Sequence, residues 1–316
     1  MSTPKGMTLP RKRIVISSGD PGGCGPFVTL KAIESIGKNS LEFFVVGDQK
    51  IFQKLPIYKK AKNKINFIDL NTRGISEIER GKPSRLGGKA SLSYLNAALE
   101  LIRKRKMKRL VTAPLSKEAV KSVLKNFSGH TEYLADYFKV KNFAMMMASS
   151  SLKVVMATRH INLKEVSSFL GKDDIYNLLC LVYESLQVKF KLKRPRIVFC
   201  AINPHAGVST FVEDEEKKIL LVRKKFKRLT FGPYPADTIF TKENLKRYDC
   251  IICAYHDQAM IPFKLLSFHT GVNLTLGLPI VRTSPAHGVA YDIVERGEIP
   301  FHSSMLEAIK LAAKLS

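Results

Sequence analysis

Ile16–Pro26 reads ISSGDPGGCGP. A short apolar run, Arg13–Ser17 (RIVIS), leads into it, and a helical pattern, Thr29–Ile36 (TLKAIESI), leads out. Strand, glycine turn and helix together suggest a dinucleotide-binding βαβ unit, so this turn decides which kind of α/β protein the chain encodes. The G-x-G-x-x-G fingerprint needs three glycines in fixed register. Gly23 and Gly25 supply two, but Val28 stands at the third position. Asp20, Pro21 and Pro26 also occupy places where a pyrophosphate would need bare backbone donors. The fingerprint fails, and the loop needs another use.

Beyond it, apolar strand-like runs alternate with helical patterns. The strand candidates are EFFVVG, KINFIDL, RLVTAP, FAMMMAS, KVVMATR, RIVFCAI, CIICAYH and VNLTLG. Helix-length segments such as SLSYLNAALELIRKRK and DDIYNLLCLVYESLQVKF lie between several of them. This alternation predicts an α/β fold, a mostly parallel sheet with helices on both faces. At 316 residues the chain suggests two lobes, with a boundary near Gly129 and a return around Ser267.

Hydrophobic content of 45% and charged content of 25% are those of a soluble globular protein. The N-terminal MSTPKGMTLPRKRIVI has no signal-length apolar region, and no run approaches a membrane span, so a cytoplasmic protein without membrane partners is expected. Five cysteines fit a reducing compartment. Cys250 and Cys253 have C-x-x-C spacing but lie in a strand-like run, where i and i+3 face opposite sides. The net charge of +25 could mark a nucleic-acid binder. However, the basic runs Arg103–Arg109, Lys189–Arg196 and Arg223–Arg228 are scattered at element ends without a binding motif. Solvated faces that attract anionic substrates are the expected role, not nucleic-acid binding.

A recurrence carries the chemistry. KVVMATRH ends at His160, RIVFCAINPH at His205 and CIICAYH at His256. Ligands of open α/β sheets gather beyond the carboxyl ends of the strands, where three histidines could meet. Three imidazoles and an open position suit a catalytic divalent metal, zinc or cobalt. Taken alone, the triad fits an aquo-metal hydrolase equally well. Gly129-His130-Thr131-Glu132 opens a helix whose first amides could hold a phosphate or carboxylate, or simply be capped. Asp237 starts another short helix as an N-cap or a functional carboxylate. Lys264, Asn273 and Arg282 follow His256, and arginine suits bidentate carboxylate or phosphate binding.

Taken together, GDPGGCGP, TAPLSKEAV, SGHTEYLA, ATRHINLKEV, INPHAG, GPYPADTIF, AYHDQAMIPFK and VNLTLGLPIVRTSPAHGVAYDIV resemble, in order and over nearly the whole chain, the 4-hydroxythreonine-4-phosphate dehydrogenase family. The resemblance implies NAD-dependent oxidation of 4-phosphooxy-L-threonine at its 3-hydroxyl, then decarboxylation to 3-amino-2-oxopropyl phosphate, in pyridoxal 5'-phosphate biosynthesis. It implies two intertwined α/β/α subdomains with a cleft between them, similar to isocitrate and isopropylmalate dehydrogenases, which bind NAD without the failed fingerprint. The subdomains would be about 1–129 plus 267–316, and about 130–266. GDPGGCGP then becomes a turn at the cleft floor. The cofactor loop becomes Ala286–Val294, with His287, Gly288 and Asp292 as contacts.

By the same resemblance, His160, His205 and His256 hold a divalent metal (zinc, alternatively magnesium or cobalt). His130, Thr131, Lys264, Asn273 and Arg282 bind the phosphorylated substrate, and Lys264 or Asp237 is the base. A homodimer with a shared active site is expected. The chain departs from the family's pattern in VSTFVEDEE after INPHAG, in Arg159 before the metal histidine, and in Cys24 and Phe27. Phosphorylated threonate or erythronate, in sugar-acid catabolism, is the alternative substrate.

Overall fold

The computed structural model describes residues 11–37, 41–207, 214–226 and 228–315. The chain divides into two compact units. One takes the chain up to Phe127 and resumes from His287 to Lys314, and the other runs from Ser128 to Ala286.

The first unit is built on β1 (Lys12–Ser17), β2 (Leu41–Gly47), β3 (Ile65–Asp69) and β4 (Arg109–Thr112). These pair in the order β3-β2-β1-β4, all parallel. Ile14, Val15 and Ile16 are consecutive and fully buried. Neighbouring strand residues point to opposite faces, so both faces must be covered. The helices Arg85–Lys104 and Ser303–Lys314 pack on β1, and Gly25–Ser35 packs on Ser303–Lys314. Arg85–Lys104 begins where the Ser84 hydroxyl accepts the Gly87 N–H and buries Tyr94, Leu95, Ala98, Leu99 and Ile102 along one stripe. Its last turn carries Arg103 and Lys104, where cations complement the helix dipole, as the basic run there predicts.

The second unit contains β5 (Ala144–Ala148), β6 (Lys153–Met156), β7 (Ile197–Cys200), β8 (Thr230–Tyr234), β9 (Cys250–Cys253), β10 (Val272–Leu276) and β11 (Val281–Pro285). Their order is β11-β10-β5-β6-β9-β7-β8. Pairing is antiparallel from β11 to β6 and parallel from β6 to β8. The core joins Val154, Met156, Val198, Cys200, Ile251 and Cys253 to Ile239, Ala259 and Phe263 from the covering helices. The Cys253 sulfur meets Cys200 Sγ at 4.0 Å, and all five cysteines are free thiols.

Two strands escape the sequence pattern. β8 contains Gly232 and Pro233, which mask its signal, and a proline is tolerated on a strand at the end of a sheet order. β11 is buried at every position although it carries Arg282 and Pro285. The chain returns to the first unit between Ala286 and His287 instead of around Ser267, because β10 and β11 extend the second unit's sheet from β5. Among the described residues no helix is long and apolar enough to cross a membrane.

At Gly19 the backbone has φ 70°, and a Cβ would collide with the carbonyl oxygen of Pro114. Gly19→Ala is therefore expected to cost at least about 1–3 kcal/mol of unfolding free energy by chemical denaturation. A loss below about 0.5 kcal/mol, the range of an ordinary surface substitution, would contradict this tight turn.

Candidate functional site

In the second unit β9 lies between β6 and β7, and Ile251 is in register with Val154 on one side and Val198 on the other. The three strands therefore run parallel and end together, so the segments carrying His160, His256 and His205 leave the same end of the sheet. Ala157 N donates to Cys253 O at 2.8 Å, and the Thr158 hydroxyl donates to Ala254 O at 2.7 Å. These bonds tie the segment after β6 to the segment after β9. The His160 and His256 rings stand 5.9 Å apart between centroids, tilted by 35°.

His256 is the first residue of the helix His256–Ser267, and its Nδ1 is 2.7 Å from Asp257 Oδ1. A carboxylate on one ring nitrogen fixes the tautomer and leaves Nε2 for a ligand. Gln258 receives the Ala254 N–H at 2.7 Å and donates to Ala201 O at 2.8 Å, which joins the ends of β9 and β7. His205 sits in the tight turn Pro204–Gly207. The fully buried Glu216 holds the entrance of that turn, accepting Ile202 N, Asn203 N and Asn203 Nδ2 at 3.0–3.2 Å. His160 and His205 both have left-handed backbones, φ 50° and 58°. Such strain in non-glycine residues concentrates at functional sites.

Fit to a metal can be judged on these donors. The paired imidazoles of His160 and His256 suit a borderline-soft divalent cation. His205 is exposed on its turn, and among the described residues no three His, Cys, Asp or Glu side chains form a completed metal cluster. The structure thus brings two of the three sequence candidates together. Residues 208–213, which hold most of the divergent segment after INPHAG, lie outside the described residues.

The substrate candidates of this unit fall into two groups. Arg282 on β11 is 2% exposed and donates to Thr275 Oγ1 on β10 at 3.1 Å. Burial pushes its pKa down to about 10, against the pull of Glu132, so it remains a cation at neutral pH. Asn273 on β10 donates its amide to the Met145 sulfur at 3.2 Å, and its buried Oδ1 has no hydrogen-bond partner among the described residues. A buried acceptor left unpaired costs about 1–3 kcal/mol, which a polar ligand would recover. His130 opens the helix His130–Tyr137 behind Gly129, and Thr131 is 7% exposed. By contrast, Lys264 is exposed on the His256–Ser267 helix. Asp237 is exposed within Ala236–Ile239, whose N-cap is Pro235, so Asp237 is not a capping residue.

In the first unit the opening loop acts as a cradle. Cys24 N donates to Val289 O at 2.9 Å, and Cys24 Sγ contacts Gly288 O at 3.5 Å. Tyr291 donates its hydroxyl to Asp20 Oδ2 at 2.7 Å, while Asp20 Oδ1 accepts Gly22 N at 2.8 Å. The candidate cofactor loop is thus fastened to GDPGG, a link between distant segments that the sequence does not reveal. Burial pushes the Cys24 thiol up to about 12, which favours its protonated form at neutral pH. Burial lowers the pKa of His287 and favours its neutral form. Its Nδ1 is 2.9 Å from Gly288 O, and its buried Nε2 has no hydrogen-bond partner among the described residues. Asp292 is exposed and pairs with Arg296 at 3.4 Å.

The sequence profile described as "Pyridoxal phosphate biosynthetic protein PdxA" matches residues 29–312. The chain belongs to the PdxA family. Within that family it is an oxidoreductase of the dehydrogenase type. It is 36% identical to the 4-hydroxythreonine-4-phosphate dehydrogenase of Desulforapulum autotrophicum, over 97% of this chain and 96% of the relative. It is 34% identical to a protein of Oceanobacillus iheyensis described as a D-threonate 4-phosphate dehydrogenase, over 98% and 99% of the two chains. The crystal structure of 4-hydroxythreonine-4-phosphate dehydrogenase from Klebsiella pneumoniae superposes with a TM-score of 0.81 at 30% identity, over 95% of this chain and 98% of that one. Isocitrate dehydrogenase from Methylococcus capsulatus, at 12% identity and a TM-score of 0.50 over 95% and 84%, shares the fold alone.

Asp20 gives this PdxA chain a pH signature. Burial raises its pKa, against the opposing bonds from Tyr291 and Gly22. A carboxyl with a raised folded-state pKa binds its proton more tightly when folded. Its stabilisation is full below the unfolded value of about 3.9 and is lost as pH rises through the folded value. Tyr291→Phe removes a donor to the ionised form and is expected to cost about 1–3 kcal/mol at pH 7 in urea denaturation. That cost should shrink as pH falls through the raised pKa, where both proteins hold Asp20 protonated. A penalty independent of pH would rule out this role for Tyr291.

Proposed function

We propose that this PdxA-family dehydrogenase oxidises 4-phosphooxy-L-threonine at its 3-hydroxyl with NAD and a divalent metal. Decarboxylation to 3-amino-2-oxopropyl phosphate follows, as a step of pyridoxal 5'-phosphate biosynthesis. The observation that carries the reading is the pairing of His160 and His256, 5.9 Å apart, beyond adjacent parallel strands. His205 leaves the third strand at the same end.

In this reading His160, His205 and His256 hold zinc, or alternatively magnesium or cobalt. Bound there, the cation supplies Lewis acidity that acidifies the alcohol and polarises the ketone formed from it. NAD, the hydride acceptor, lies against His287, Gly288 and Asp292; the unpartnered Nε2 of His287 supports this assignment. Arg282 neutralises the phosphate or carboxylate, with His130 and Thr131 as further contacts. The amide of Asn273 satisfies its orphaned oxygen on a substrate donor. Lys264 removes the hydroxyl proton, and Asp237 is the other base by position.

A homodimer with a shared site is part of the reading. The helix His256–Ser267 and its C-cap Phe268 leave Ile261 61%, Leu265 82% and Phe268 65% exposed. An exposed apolar face of this kind supports self-association. His256 and Lys264 lie on the same helix, so self-association through it would bring the catalytic residues to the contact. Five free thiols suit a cytoplasmic enzyme. Oxidation of phosphorylated threonate or erythronate is the second reading, favoured by the likeness to the Oceanobacillus protein.

The test follows NADH, since a metal-dependent hydrolase would also lose activity to a chelator. His160→Ala and His256→Ala are expected to fold and to lose on the order of a thousandfold or more in rate. NADH formation at near-normal rates by these variants in chelator would overturn the metal assignment. Phosphate release without NADH would overturn the reaction class. Sedimentation should give a dimer, and mixing His205→Ala with Lys264→Ala subunits should restore part of the activity. A fully active monomer would contradict the shared site.

A further inference from the structure

Glu132, Arg159 and Arg282 form a charge cluster whose residues belong to the candidate substrate elements. Glu132 follows His130 and Thr131 in the first turn of its helix. Arg159 immediately precedes His160 and is bound on three sides. Its NH1 donates to Phe143 O at 3.2 Å, its guanidinium lies 4.7 Å from the Phe143 ring centroid, and its Nε is 3.9 Å from Glu132 Oε1. These side chains are 23% and 31% exposed, so the pair is only partly screened by water. The same Glu132 acts electrostatically on the buried Arg282. Glu132 thus stands at ion-pair distance from Arg159 and within electrostatic reach of Arg282, and the three side chains together carry a net positive charge.

The two candidate substrates differ at C2. 4-Phosphooxy-L-threonine has an ammonium there and phosphorylated threonate has a hydroxyl, while both carry a carboxylate and a phosphate of roughly −1.5 to −2 charge at neutral pH. An ammonium entering this site would seek a carboxylate, and Arg159 already engages Glu132. A hydroxyl makes no such demand. We propose that Arg159, by occupying Glu132, is a specificity-determining residue that disfavours an ammonium at C2 relative to a hydroxyl. Discrimination is a difference between two affinities, and one occupied counter-charge is enough to tilt it. The inference rests on the reading above that the substrate is a phosphorylated hydroxy acid, and of the two substrates named there it weighs toward threonate.

Arg159→Met keeps an apolar stem on Phe143 and removes the charge. It is expected to raise the ratio of kcat/KM for 4-phosphooxy-L-threonine over D-threonate 4-phosphate by about tenfold, the scale of one pKa unit of charge interaction. Arg159→Lys should hold the ratio near that of the unmodified protein. Glu132→Gln should move it the opposite way. General damage to the fold lowers both rates and leaves their ratio unchanged, so these opposite shifts report on the charge cluster itself. Calorimetric binding of the same two compounds gives the ratio even without turnover. A ratio within twofold of the parent in both Arg159→Met and Glu132→Gln overturns the inference. Binding that shifts as expected with no NADH from either compound supports the inference and overturns the proposed reaction. Failure of both compounds to bind overturns both.

Discussion

Parallel pairing on both sides of β9 is the constraint on which the candidate site depends. Ile251 is matched to Val154 and Val198 at once, and the strand interior is fully buried. A slip by one residue on either side would swap the side chains packed against the two covered faces, so close packing on both faces fixes the register. Once the register is fixed, the ends of β6, β9 and β7 coincide. The chain can then place polar residues beyond them without disturbing the core. The site draws its order from Val, Ile and Cys side chains that take no part in its chemistry.

Strain beyond those ends is held down by hydrogen bonds. His160, His205 and Ala206 occupy left-handed backbone, each at a cost of order 1–3 kcal/mol. Against this, the buried Glu216 accepts three N–H donors around Asn203 and so ties down the turn that carries His205. Gln258 and Thr158 add bonds between the ends of adjacent strands. These clamps hold the histidine segments in a geometry their backbones would not choose alone.

How much of this could be read in the sequence follows from the range of each interaction. The strand ends at His160, His205 and His256 are visible because apolar runs and their boundaries are local. Arg282 stands out as a charge in apolar surroundings, yet its strand does not, because β11 is buried at every position and has no alternation to read. Glu216 and Gln258 look like surface residues, and only the folded chain makes them clamps. The bonds from Tyr291 to Asp20 and from Cys24 to Val289 span most of the chain length, beyond any periodicity. They explain why the opening loop fails as a phosphate turn: its backbone groups and Asp20 are committed to holding the loop that contains His287. The motifs shared with the family can be read along the sequence, whereas the charge cluster around Glu132 emerges only once Arg159 is seen folded onto Phe143.

The net charge of +25 and the buried cation Arg282 act on anions in different ways. Exposed lysines and arginines act through water and salt, and their fields fade over about 8 Å at physiological ionic strength. Such charges can raise the local concentration of any anion but cannot tell one from another. Arg282, at 2% exposure, acts in a medium that screens far less. Its burial is tolerable only beside compensating groups, which Thr275 and Glu132 supply. The proposed substrate choice therefore rests on Arg282, Glu132 and Arg159 and not on the many cations on the surface. A neutralised surface with this cluster intact would attract phosphorylated acids more slowly and still choose among them.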